Sequence, residues 1–187
     1  MHQNTGCVTE QVSSTSQRQL TAGLIDSKEH TINDTILALD LDPIKIKLMD
    51  VDDGEGWSRA KAEAVDGEYR RFLQLGLEHN GVPIVPTKEV DKFWHYHILD
   101  TMKYADDCNA VFGRFLHHFP YFGLRGEDDA RNLRHAAVNT KLLYRQTFGE
   151  GTPGFQSAEP PGCGSVVCEV GSCHMVQFSR PKFDLLS

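Results

Sequence analysis

Residues 87–113 read TKEVDKFWHYHILDTMKYADDCNAVFG, and the way this stretch folds decides the rest. Its apolar residues Val90, Phe93, Trp94, Ile98, Leu99 and Met102 recur at helical spacing. Thr87 stands just before them. A threonine hydroxyl there accepts from a backbone N–H that the first helical turn leaves unpaired, so Thr87 reads as the N-cap. The pattern predicts a helix from residue 88, with room for a break and a new helical turn near Asp100–Thr101. Gly113 is the stop, since glycine takes the left-handed conformation that ends helices.

Working outward, residues 57–79 form the clearest helix of the chain. Ser58 is its N-cap, and Val65, Tyr69, Phe72, Leu73 and Gly76 share one face. Asn80–Gly81 ends it, and VPIVP (82–86) is extended, because each proline biases its predecessor away from the α region. Further upstream, Ile32, Ile36, Leu37 and Leu39 suggest a short helix. Pro43 interrupts it and opens another that carries Ile44, Ile46 and Leu48. DVDDGEGW (50–57) is an acidic, glycine-containing loop. It lacks the alternating ligands and closing glutamate of a calcium-binding EF-hand, so it reads as a solvated turn. Downstream, FLHHFPYFGLRGEDD is a loop rich in aromatics. Residues 128–147 make a last amphipathic helix with Ala130, Leu133, Ala137, Thr140, Leu143 and Tyr144 inward. No convincing strand alternation is present, although CGSVVCEV and CHMVQF near 163–179 leave room for short strands.

The expected architecture is mostly α: one compact helical domain over 31–148, a flexible arm over 1–30, and a Gly/Pro/Cys-bearing tail over 149–187. The arm is rich in Ser, Thr and Gln and cannot bury enough apolar surface to offset its ordering entropy. The 187 residues suit one domain, and 40% hydrophobic content is enough for one core. A net charge of −7 points away from nucleic acid and from anionic membranes, both of which recruit Lys and Arg. Arg125, Arg131, Arg134, Lys141 and Arg145 still gather near the last helix. No segment is long and apolar enough to span a membrane, and the polar N-terminus lacks the apolar stretch of a secretory signal. Five cysteines, odd in number and sparse, do not suggest a disulfide framework, so a cytoplasmic location with reduced thiols is expected.

The chemistry concentrates between Asp91 and His118. On a helix, Asp91 and His95 stand at i and i+4 and share a face, as do pairs of side chains that grip a divalent metal. Asp91 could ligate directly or fix the imidazole tautomer of His95 from behind. His97 lies about 200° around an ideal helix from His95, so both cannot reach one ion. His117 or His118 would add a ligand from the aromatic loop, and adjacent histidines seldom both do. The same histidines, beside Trp94, Tyr96, Phe115 and Phe119, could instead pack and hydrogen-bond. Cys163, Cys168, Cys173 and His174 offer three thiols and an imidazole, but C-x4-C-x4-C-H matches the usual paired-cysteine zinc signature poorly. Cys108 reads as a core thiol, with a Cys108 pair to His95 or His118 conceivable. Cys7 has no partner near it in sequence.

Three stretches, LDLDPIKIKLMD (39–50), GWSRAKAEAVDGEYRRFLQL (56–75) and PTKEVDKFWHYHILDTMKYADDCNAVFGRFLHH (86–118), together resemble the glycine-rich domain-containing protein-like family, over about residues 38–148. That family's pattern is a Val/Leu-Asp-x-x-Trp-His-x-His block, then Tyr-x-x-Asp-Cys, then a glycine-containing segment with a histidine. The resemblance implicates Asp91, Trp94, His95, His97, Tyr104, Asp107, Cys108 and His118, and implies no particular reaction. The tail here is short and only modestly glycine-rich. The combined expectation is a metal-binding helical protein, open to being a metal-dependent enzyme. Asp91, His95 and His118 would be the ligands, with His97 and Asp107 in reserve. A mixed imidazole–carboxylate set suits zinc, iron or copper. The alternative is an interaction module whose histidines pack and whose apolar loop 115–124 meets a protein partner.

Overall fold

Among the described residues, six helices and a two-stranded ladder follow in the order α1 (Asp34–Leu37), α2 (Asp42–Met49), α3 (Arg59–Glu78), α4 (Lys88–Leu99), α5 (Thr101–Phe112), β1 (His118–Phe119), α6 (Glu127–Phe148) and β2 (Ser165–Val166). The computed structural model describes Met1, residues 32–149, Ser165, Val166 and Arg180. All of the arm (1–30) but Met1, and the tail thiols Cys163, Cys168 and Cys173 with His174, lie outside the described residues, as does Cys7 within that arm. The described chain is a mostly helical, compact domain. None of its helices is long and apolar enough to cross a membrane.

The expected caps set the helix boundaries. Thr87 Oγ1 accepts from Val90 N–H at 3.3 Å and starts α4, and Ser58 Oγ accepts from Lys61 N–H at 3.2 Å and starts α3. Asn33 caps α1 in the same way, and Pro43 sits in the first turn of α2. At Asp100 (φ −80°, ψ 72°) the backbone leaves the helical region, so the long pattern after Thr87 divides into α4 and α5 there. Gly113, with φ 65°, closes α5 in the left-handed conformation. The acidic loop after α2 is a turn closed on itself, with Asp50 Oδ1 accepting from the amides of Asp52 and Asp53.

Helix α4 lies at the centre and packs against α2, α3 and α5. The main core takes Ile36 and Leu41 from the N-terminal helices, Tyr69, Phe72 and Leu75 from α3, Phe93 and Trp94 from α4, and Tyr104 from α5. Arg70 holds α1 down by donating to the carbonyls of Ile36, Leu37 and Leu39 while paired with Asp66. Helix α6 is tied to the extended segment 82–86 by Thr140, whose Oγ1 accepts from Val85 N–H at 3.0 Å and donates to Ala136 O. Of its six expected inward residues, Thr140 and Tyr144 are buried and the other four are half-buried. Ala136 and Asp129 are buried as well.

The aromatic loop departs from the expectation of an exposed apolar surface. Leu116, Phe119 and Phe122 are buried, and Phe119 and Phe122 build a second small core with Val85 and Ala136. Phe115 and Leu124 remain exposed. The loop's apolar character is thus largely spent on packing against α6. Asp129 staples it there, accepting from the amides of Gly123 and Arg125 and from the Arg125 guanidinium. At Gly123 (φ 91°) any side chain would also run into Leu133 Cδ2, 2.6 Å from an ideal Cβ. Of the basic residues near α6, Arg125 is neutralised by Asp129 and Arg131 pairs with Asp128.

Candidate metal centre

Asp91 and His95 occupy successive turns of one face of α4, and β1 brings His118 against them. One donor atom from each of the three lies within 4.8 Å of the other two. Among the described residues this is the one group of three such donors. His118 Nε2 stands 3.2 Å from Asp91 Oδ1. Two ligands held at about 2.0–2.1 Å from a tetrahedral ion stand about 3.4 Å apart, so this pair already has the spacing of one coordination edge. The imidazole rings of His95 and His118 meet edge-on at 4.5 Å between centroids.

The hydrogen-bond partners fix which nitrogens carry protons. A carbonyl can only accept, so His95 Nδ1, 2.7 Å from Asp91 O, is the protonated nitrogen, and Nε2 keeps its lone pair. An N–H anchored on a backbone carbonyl is the usual way a ligating histidine is oriented. His118 Nε2 likewise donates to the carboxylate. An ion seated between the two would take the place of that hydrogen, with the imidazole carrying its proton on Nδ1 instead. Exposure is asymmetric: the side chains of Asp91 and His118 are 13% and 8% exposed and that of His95 is 47% exposed. The group therefore has a protein-facing wall and a solvent-facing opening on the His95 side.

Within the 115–118 stretch the structure selects His118. His117 is exposed and packs on Phe115, at 4.9 Å between ring centroids, and adjacent residues of an extended chain point to opposite sides. The antiparallel ladder pairs His118 with Val166 and Phe119 with Ser165.

The two reserve ligands belong elsewhere. His97, 2% exposed, points into the core, where its Nδ1 lies 2.9 Å from Tyr69 Oη and its Nε2 3.0 Å from Asp107 Oδ2. Asp107 Oδ2 is also 3.0 Å from Lys103 Nζ. Burial pushes the His97 imidazole below its ordinary pKa although Asp107 pulls the other way, so the ring is neutral at pH 7. Neutral His97 then has one consistent arrangement: Nε2–H donates to the Asp107 carboxylate and Nδ1 accepts from the Tyr69 hydroxyl. Burial holds the Tyr69 phenol well above its ordinary pKa, which keeps that hydroxyl a donor. The opposite directions of His95 and His97 follow from the helical repeat. The partner Tyr69, 28 residues away on α3, had no local signal.

Cys108 is buried, and burial raises its thiol above the ordinary range while the Leu116 backbone and Tyr104 engage it. A protonated thiol occupied in this way is a core residue, not the nucleophile of a cysteine–histidine pair. Tyr104, one of the residues the resemblance implicates, occupies the space between the two histidine groups. It accepts from Trp94 Nε1–H at 2.8 Å and donates to Leu116 O at 2.6 Å.

The fold and site together define a helical domain with a histidine–carboxylate group at the junction of its central helix and a loop strand. The chain belongs to the UCP032817-like family, whose model matches residues 43–139, more than half of its length, Asp91, His95 and His118 included. Searches of curated proteins and of solved structures found no match.

Proposed function

We propose that this protein binds a divalent transition metal through Asp91, His95 and His118. The observation that carries the reading is the convergence of one carboxylate and two imidazoles to within 4.8 Å, from positions 27 residues apart in the chain. Two histidines and a carboxylate on one side of an ion suit zinc or iron, and copper is a third choice. The partly exposed His95 leaves the outer side of the group open to water. A metal there with an open position would polarise a bound water or carbonyl, the ordinary basis of metal-assisted hydrolysis. With that position filled, the ion would instead pin β1 to α4.

The test is elemental analysis of untagged protein, with zinc titration of the metal-free form. The expectation is about one metal per chain, lost in His95→Ala and in His118→Ala and retained in His97→Ala. Zinc at about 100 times its dissociation constant should also stabilise the wild type by about 2.7 kcal/mol and leave His95→Ala unchanged. Metal content indifferent to all three substitutions sinks the reading. In that case the Asp91–His118 contact is a tertiary tie between α4 and β1. The loop 115–124 then becomes the leading feature, with Phe115 and Leu124, 44% and 49% exposed, as the contact residues for a protein partner.

A further inference from the structure

Three facts close a ring around the back of the site. Trp94 lies one helical turn beyond Asp91 on α4, and its ring packs on that of His118 at 4.5 Å between centroids. Its Nε1–H donates to Tyr104 Oη at 2.8 Å. Tyr104 then donates to the carbonyl of Leu116 at 2.6 Å, two residues before His118. Trp94, Tyr104 and Leu116 are each no more than 1% exposed. Two residues of extended chain reach at most about 7 Å, so an anchored Leu116 confines the position of His118. Of the hydrogen bonds that link this segment to α4, the Tyr104 bridge ends on Leu116 and the other ends on His118 itself.

We infer that Tyr104 is the positioning residue of the metal centre: its hydroxyl, bonded at once to α4 through Trp94 and to the β1 strand through Leu116, holds His118 at coordinating distance from Asp91. The inference rests on the metal-binding reading and goes beyond it by assigning metal affinity to a residue that touches no metal. Removing the hydroxyl takes away the group that bridges the Trp94 N–H and the Leu116 carbonyl and leaves the indole N–H without its acceptor, while Cys108 still engages the Leu116 backbone. The strand then loses its hydrogen-bonded link to α4 at Leu116. Outer partners of metal ligands typically account for 10–100-fold in affinity.

The comparison variant is Tyr69→Phe. It deletes an equally buried phenol hydroxyl from the other side of α4, where the partner is His97 and no prospective ligand is attached. Zinc affinity is measured by competition with a chromophoric chelator, alongside the melting temperature, for wild type, His95→Ala, Tyr104→Phe, Trp94→Phe and Tyr69→Phe. Tyr104→Phe should weaken zinc binding about 10–100-fold, and Trp94→Phe, which keeps a ring beside His118, by several-fold. Tyr69→Phe should lower the melting temperature by a similar amount to Tyr104→Phe yet bind zinc within about twofold of wild type. If Tyr104→Phe does not fold, Trp94→Phe carries the test. Wild-type affinity in the folded Tyr104 and Trp94 variants, or equal weakening in Tyr69→Phe, overturns the inference while the site stands. No zinc bound by the wild type, or the same affinity in His95→Ala, overturns the site and the inference with it.

Discussion

His95 and His97 stand two residues apart on α4 and live in different worlds. His95 is half-exposed, stands beside Asp91 and His118, and has only its Nδ1 in a hydrogen bond. His97 is sealed in the core with both nitrogens occupied, one by a phenol and one by a carboxylate. The difference shows what separates a structural histidine from an available one. A neutral imidazole has one hydrogen to donate and one lone pair to offer, and burial requires both to be met. The His97 pocket meets both and has nothing left for a ligand. The His95 group leaves a lone pair open and places two more donors beside it.

The strongest way to break this comparison is to truncate each histidine in turn and measure urea unfolding of the metal-free protein. His97→Ala removes a buried ring and strands the Tyr69 hydroxyl, while Asp107 keeps Lys103, so a loss of about 3 kcal/mol is expected. His95→Ala, at an exposed helix position, should cost no more than about 0.5 kcal/mol. Equal losses would mean that His95 is as structural as His97, and the contrast between the two would collapse.

A good part of this was legible in the residues of α4 alone. Thr87 and Gly113 marked the ends, and the spacing of Asp91 and His95 put both on one face with His97 behind. What was not legible depends on chain segments far apart. Nothing near His97 announces Tyr69, because α3 reaches it only after the turn at Asn80–Gly81 and the extended prolines have reversed the chain. The choice of His118 over His117 needed the loop's pleat, which puts His118 on the side of the buried Leu116 and leaves His117 exposed. The loop's run of aromatics looked like a surface because sequence shows apolar content and not its direction. Its inward turn is fixed by Asp129 on α6, which accepts from the loop amides of Gly123 and Arg125 and from the Arg125 guanidinium.

That staple gives a second, smaller effect. Burial raises the Asp129 carboxyl, but the Arg125 guanidinium and the amides of Gly123 and Arg125 outweigh it and hold the group below its ordinary pKa. A depressed carboxylate adds stability that is complete above its unfolded pKa of about 3.9 and drains away as the pH falls through the lower folded value. Asp129→Asn should therefore cost roughly 2 kcal/mol at pH 7, with a deficit that narrows below about pH 4. Chemical denaturation across that range reads it directly. Because Asp129 holds the far end of the loop, the variant also asks whether His118 depends on that end or on Tyr104. Zinc affinity within about twofold of wild type would leave the anchor with Tyr104, and a loss matching Tyr104→Phe would share it with α6.

The smallest effect probes the helix that carries both histidines. Thr87→Ala removes the acceptor for Val90 N–H and should cost about 1 kcal/mol. The cost will not be spread evenly. Asp91 sits in the first turn, whose amides fray when the cap is lost, whereas His97 lies in the last turn and is held by Tyr69 and Asp107 from two other helices. Hydrogen exchange should accordingly speed up at the amides of Val90 and Asp91 and stay slow at that of His97. Zinc affinity should drop several-fold with little change in the buried histidine network, because fraying displaces a prospective ligand on one side of α4 and nothing on the other. Uniformly faster exchange along the whole of α4 would show instead that the two histidine groups rise and fall together. The helix would then be one cooperative unit, with no separable metal-facing end.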